Sequence, residues 1–156
     1  AVGMESLLDL LRAWPGAVWL RGTGTAYLFV NAAHILGIAL TLGAILPLDL
    51  RLMGFIRHGP LDVVGPFLVR TAASGLALAI LTGAWLFSVK PADYLANDAF
   101  LWKLALLALA LVNILLQHRH HPFGTEQPGG IVRLHAALSA TFWLGILLAG
   151  RWIGFL

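Results

Sequence analysis

Apolar residues run almost unbroken through four stretches of the chain, about 24 to 48, 67 to 89, 99 to 118 and 131 to 153. Each approaches the roughly 20 residues with which an α-helix crosses a hydrocarbon core about 30 Å thick. None shows the strict alternation of a membrane β-barrel strand, so the backbone is expected to close its hydrogen bonds within helices. Polar punctuation separates the runs: "LPLDLRLMGFIRHGPLDVVGP", "KPADYLAND" and "QHRHHPFGTEQPGG". Connections this short make successive spans antiparallel. The pattern predicts an all-α, integral membrane four-helix bundle over residues 1 to 156, a single membrane domain. The first and third connections share one side, here the loop face, and both termini share the other, the terminal face. Ahead of the first span, Met4, Leu7, Leu8, Leu11 and Trp14 recur at helical spacing until Pro15 and Gly16. They predict an interfacial amphipathic helix over about 4 to 14, lying on the membrane surface.

Polar residues inside the spans fall on stripes. Tyr27, Asn31, His34 and Thr41 share one face of the first helix, and Thr71, Ser74, Gly75 and Thr82 line the second. The third span carries Asn113, Gln117 and His118; the fourth carries His135, Ser139 and Trp143 at intervals of four. Such stripes serve helix packing and interhelical hydrogen bonds. An ionisable group at membrane depth, however, marks a functional site by default. Measured from Lys103 and Arg151 at about 1.5 Å per residue, His118 lies roughly 22 Å and His135 roughly 24 Å from the terminal face; His34 lies roughly 15 to 18 Å in.

Composition narrows the chemistry. The chain is 60% hydrophobic and 11% charged, well outside the range of a soluble domain. With no cysteine, thiolate metal sites, iron–sulfur clusters and covalent haem attachment are excluded. The basic balance, net charge +3, fits contact with anionic membrane lipids rather than nucleic acid. Arg51, Arg57, Arg70, Arg119 and Arg133 on the loop face balance Arg12, Arg21, Lys90, Lys103 and Arg151 on the terminal face. That tie leaves orientation to a lean toward a cytoplasmic loop face, in a bacterial inner membrane.

A b-type haem needs neutral imidazoles from facing helices, a slot lined by small and apolar groups, and cations for its propionates. The candidates are His34 with His118 or His135 as axial ligands, Asn31 and Asn113 beside them, and Arg51, Arg70 and Arg133 for the propionates. The leading expectation is haem b with an electron-transfer role toward a membrane redox partner or quinone. Asn31 and Thr41 are expected to support His34. Alternatives are a copper or zinc ion held by His34, His118 and His135, or a polar transport path through His34, Asn113 and His118. A scaffold subunit without cofactor, or a homo-oligomer, is also open. His120 and His121 read as solvated loop residues. No paired carboxylates in the spans, activated serine or phosphate-binding glycine loop points to catalysis.

The motifs "HILGIALTLGAILPLDLRLMG", "TGAWLF", "FLWKLALLALALVNILLQH" and "GRWIGF" resemble an uncharacterised family of small four-span bacterial membrane proteins, over nearly the whole chain. The resemblance points to His34, Asp49, Arg51, Lys103, Asn113, His118 and Arg151 as the matching polar positions, and His135 is less typical of it. The arrangement is also similar to four-helix membrane cytochromes b and copper-resistance D-type membrane domains, whose helices present inward histidines. That second likeness is architectural and implies no function by itself.

Overall fold

The computed structural model describes residues 2–57, 59–120 and 129–155, with side chains for all of these but 2 and 118–120. The described residues form seven α-helices: α1 (Val2–Ala13), α2 (Pro15–Gly22), α3 (Gly24–Met53), α4 (Leu61–Val89), α5 (Pro91–Leu95), α6 (Asp98–His120) and α7 (Gly130–Trp152), with a final 3₁₀ turn at Ile153–Phe155. Helices α3, α4, α6 and α7 are each long and apolar enough to span a bilayer. Their outward residues, such as Leu28, Phe29, Leu81 and Leu148, are large, apolar and exposed, so the surface of this integral membrane protein is built for lipid.

Two spans are longer than the hydrophobic pattern indicates. Helix α3 continues through Pro47 to Met53, and α4 begins at Leu61 and continues through Pro66. A proline removes one backbone donor, which a long membrane helix tolerates because its neighbours hold it in register. Helix α3 ends on Gly54, whose φ of 90° is open to glycine at little cost. There the Gly54 and Phe55 amides turn back to the Arg51 and Leu50 carbonyls.

The spans pack in the order α4, α3, α7, α6. Contact between α3 and α4 is closest at Gly37 and Gly75, where a β-carbon on Gly37 would stand 2.6 Å from the Ala79 nitrogen and 2.8 Å from the Gly75 oxygen. Only glycine permits that approach. Leu42, Ile45, Ala110, Trp143 and Ile146 form the central core. Helices α4 and α6, at the two ends of this order, nowhere bring their Cα atoms within 8 Å.

Beside α1, a second short helix that the pattern did not indicate, α2, docks on the terminal face. Its Ala17 and Leu20 are buried, the latter in a cluster with Ala26, Val30, Leu86 and Val89. The Trp14 indole donates to the Ser88 hydroxyl at 2.9 Å, and the Trp85 indole donates to the Gly16 carbonyl at 3.0 Å. Arg21 bridges the carbonyls of Arg12 and Val89. Tryptophan suits this level, with an apolar ring and one polar atom.

Candidate functional site

His34 projects from α3 toward α4. Its Nδ1 lies 2.9 Å from the Ala79 carbonyl and 3.1 Å from the Thr82 hydroxyl. The Thr82 hydroxyl spends its own proton on the Leu78 carbonyl at 2.6 Å. Both groups facing Nδ1 are therefore acceptors, and a neutral imidazole here carries its proton on Nδ1 and its lone pair on Nε2. Gly83 makes room for the ring: a β-carbon there would lie 2.9 Å from His34 Cε1. A Thr-Gly pair on α4 thus fixes the tautomer and the seat of the imidazole.

The half-buried His34 borders a cavity of about 460 Å³. Its walls are mostly aliphatic and aromatic, among them Leu76, Leu86, Leu104, Leu107 and Trp143, and its polar groups include Tyr27, Asn31, His34, Thr41 and Lys103. The sequence stripe on the first span is therefore the cavity's polar wall. Phe87 of α4, Tyr94 of α5 and Phe100 of α6 close it at the terminal face, the two phenylalanines stacked with ring centres 5.5 Å apart. Burial, then the neighbouring Tyr27 phenol and Asp93, push the Tyr94 phenol up to about 12. Ile80 and Leu104 line the cavity and are also exposed, on α4 and α6 respectively. The separation of those helices leaves the cavity open sideways to the bilayer.

The support for His34 comes from α4 rather than from its own helix. Thr41 donates to Gly37 O at 2.8 Å and makes no hydrogen bond to the imidazole; Asn31 lines the cavity, also without a hydrogen bond to it. His135 stands elsewhere. Its Nδ1 meets Asn113 Oδ1 at 2.6 Å while the Asn113 amide donates to the His135 carbonyl at 2.9 Å, a reciprocal tie between α6 and α7. His135 and Asn113 do not line the cavity, so His34 and His135 are not brought to one centre. The side chains of His118, Arg119 and His120, and the whole of His58 and His121, lie outside the described residues. Among the described residues no three His, Asp or Glu side chains converge as metal ligands. Arg51 donates to the loop carbonyls of Ile56 and Gly59 at 2.9 and 2.8 Å, and Arg70 is exposed on α4. Neither reaches the cavity, and no contact of Arg133 with it is present.

Four positions matter more than the pattern indicated. Lys103, placed at the membrane boundary by the spacing, lines the cavity and lies against Gly150; a lone cation in the run "FLWKLALL" was its signal. Thr82 and Gly83 open the motif "TGAWLF" and hold the imidazole. Asp49 is 3% exposed, bonded to Ser139 and with its Oδ2 unpaired. The Trp143 indole nitrogen is likewise buried without a partner.

No curated protein and no solved structure matches this chain. The profile of a family of unknown function, DUF6644, matches residues 16–156, from the docked α2 through all four spans to the last turn. The chain belongs to that family.

Proposed function

We propose that the protein binds a b-type haem in the His34 cavity and serves electron transfer in the membrane. The observation that carries the reading is His34 itself: an imidazole whose Nδ1 is held by Ala79 and Thr82, leaving Nε2 free beside an apolar cavity of about 460 Å³. A metal-binding histidine commonly has its other nitrogen fixed in this way by a carbonyl or carboxylate, which sets the ring and raises ligand basicity. The residues fit the group in two further respects. The walls are apolar enough to exclude water from a macrocycle, and Lys103 supplies a cation within the same cavity. His135 is engaged by Asn113, so the proposed ligation uses one imidazole from the described side chains.

When bound, haem would supply the one-electron chemistry; the cavity residues would hold it and screen it from water, and His34 would tune its potential. The sideways opening between α4 and α6 suits exchange with a lipid-soluble partner such as a quinone. A bacterial inner membrane is the proposed location. Copper or zinc handling draws less support, because it needs three or four converging ligands.

The test is a haem titration of the purified protein in lipid nanodiscs. Wild type should develop a Soret band with saturable binding. His34→Ala should lose or strongly shift that band, while His135→Ala and His120→Ala should keep it. Absence of a Soret band in wild type ends the haem reading.

A further inference from the structure

Among the described residues, the one lysine or arginine that lines the cavity is Lys103, and it has no established task. Lys103 sits in the first turns of α6, half-buried, with its ammonium beside Gly150 on α7. It makes no hydrogen bond or ion pair with any described residue. The acids nearest in sequence, Asp93 and Asp98, are exposed at the terminal face and do not line the cavity. A cation held among apolar side chains away from bulk water is costly unless an anion or strong acceptor accompanies it. Surface lysines reach water by snorkelling, but here the aromatic plug of Phe87, Tyr94 and Phe100 covers the terminal end.

From this placement we propose that Lys103 is the binding residue for the carboxylate of a membrane-borne ligand, which enters the His34 cavity sideways between α4 and α6. The identification of that ligand as haem rests on the preceding reading; the carboxylate subsite does not. Three features select the chemistry. The cation requires an anionic group. The apolar walls require that this group be attached to a large hydrophobic body. The exposed Ile80 and Leu104 on either side of the gap make lipid, not water, the phase from which it comes. A carboxylate satisfies all three, because its neutral acid crosses hydrocarbon and its ionised form pairs with the ammonium at the site. Haem propionates and long-chain fatty acids share this chemistry.

The experiment uses the full chain in nanodiscs, with wild type, Lys103→Gln and Lys103→Arg. One arm titrates haem and haem dimethyl ester, followed by Soret absorbance. The other titrates cis-parinaric acid and its methyl ester, followed by fluorescence. A charge-assisted hydrogen bond lost to glutamine should weaken carboxylate binding by about tenfold to a hundredfold. Arginine should restore most of it. Each ester should bind wild type as weakly as its acid binds Lys103→Gln, and glutamine should have no further effect on the ester. In the haem arm, the Soret position set by His34 should persist in Lys103→Gln at saturating ligand. A response in the haem arm identifies the propionate as the source. A response in the parinarate arm alone retains the subsite, and the haem reading falls only if wild type also develops no Soret band. If neither acid distinguishes Lys103→Gln from wild type, or the esters bind wild type as tightly as the acids, the proposal is overturned.

Discussion

Two phenols meet at the closed end of the cavity, and they are the protein's two tyrosines. Tyr94 hydrogen-bonds Tyr27, and burial is the first cause that lifts its phenol to about 12, with Tyr27 and then Asp93 adding to it. A raised value means that the folded state favours the neutral phenol. Its contribution to stability is thus whole below the unfolded phenol's value of about 10 and is lost as pH climbs through about 12. The tyrosinate absorbance of wild type should therefore include a step near 12 that Tyr94→Phe lacks. Tyr27→Phe should move that step downward but leave it above the ordinary value, because burial outweighs the neighbour. A single step at the ordinary value in wild type would contradict the closed, plugged end. His34 obeys the same local logic: Ala79 and Thr82 determine what its ring can offer, and the residue alone does not.

Among the helices, the decisive contact is the crossing of α3 and α4. Gly37 and Gly75 interlock backbone on backbone, and one turn away His34 lies over Gly83. A methyl group at residue 37 meets main-chain atoms of α4, which cannot rotate aside as a side chain can. Gly37→Ala is expected to cost about 1–3 kcal/mol, in the range of core overpacking. It should also weaken ligand binding at His34 by shifting α4. Gly43→Ala is the control, since a β-carbon at Gly43 meets nothing within 4 Å; its effect should stay within about 0.5 kcal/mol. Reversible unfolding in mixed detergent micelles reads both. Equal stability of the two variants would show that the α3–α4 crossing is looser than described. Gly75 was visible in the sequence on the stripe of the second span, but only the partner backbone tells which glycine is a contact and which faces lipid.

At the scale of the whole molecule, the four antiparallel spans put Arg57 and Lys90 at opposite ends of α4, outside the helix Leu61–Val89. Cysteines introduced singly at these two positions should label with an impermeant reagent from opposite sides of oriented vesicles. Labelling of both from one side would overturn the topology. The same arrangement explains the sideways opening. An order of α4, α3, α7, α6 leaves the first and last members apart, and α5 with its aromatic neighbours joins them at the terminal face alone. A lipid-facing opening of this kind is a property of the bundle, present in no single helix.

The sequence by itself determined the class, because long apolar runs without alternation can satisfy their backbone only as membrane helices. It also determined the inward stripe of Tyr27, Asn31, His34 and Thr41, since a period of 3.6 residues places them on one face. Helix ends were less legible: Pro47 and Pro66 look like boundaries, and packing carries α3 and α4 through them. What a polar residue does in such a chain depends on atoms remote in sequence. Depth put His118 and His135 beside each other and, across an offset, made them the candidates to face His34, yet rotation about a helix axis, which depth leaves undefined, turned His135 to Asn113. Rotation and the spacing of α4 from α6 likewise made Lys103 a cavity residue. Periodicity specifies a face. Only tertiary packing decides which neighbour that face meets, because in lipid the choice is made by close backbone approach and interhelical hydrogen bonds, not by hydrophobicity.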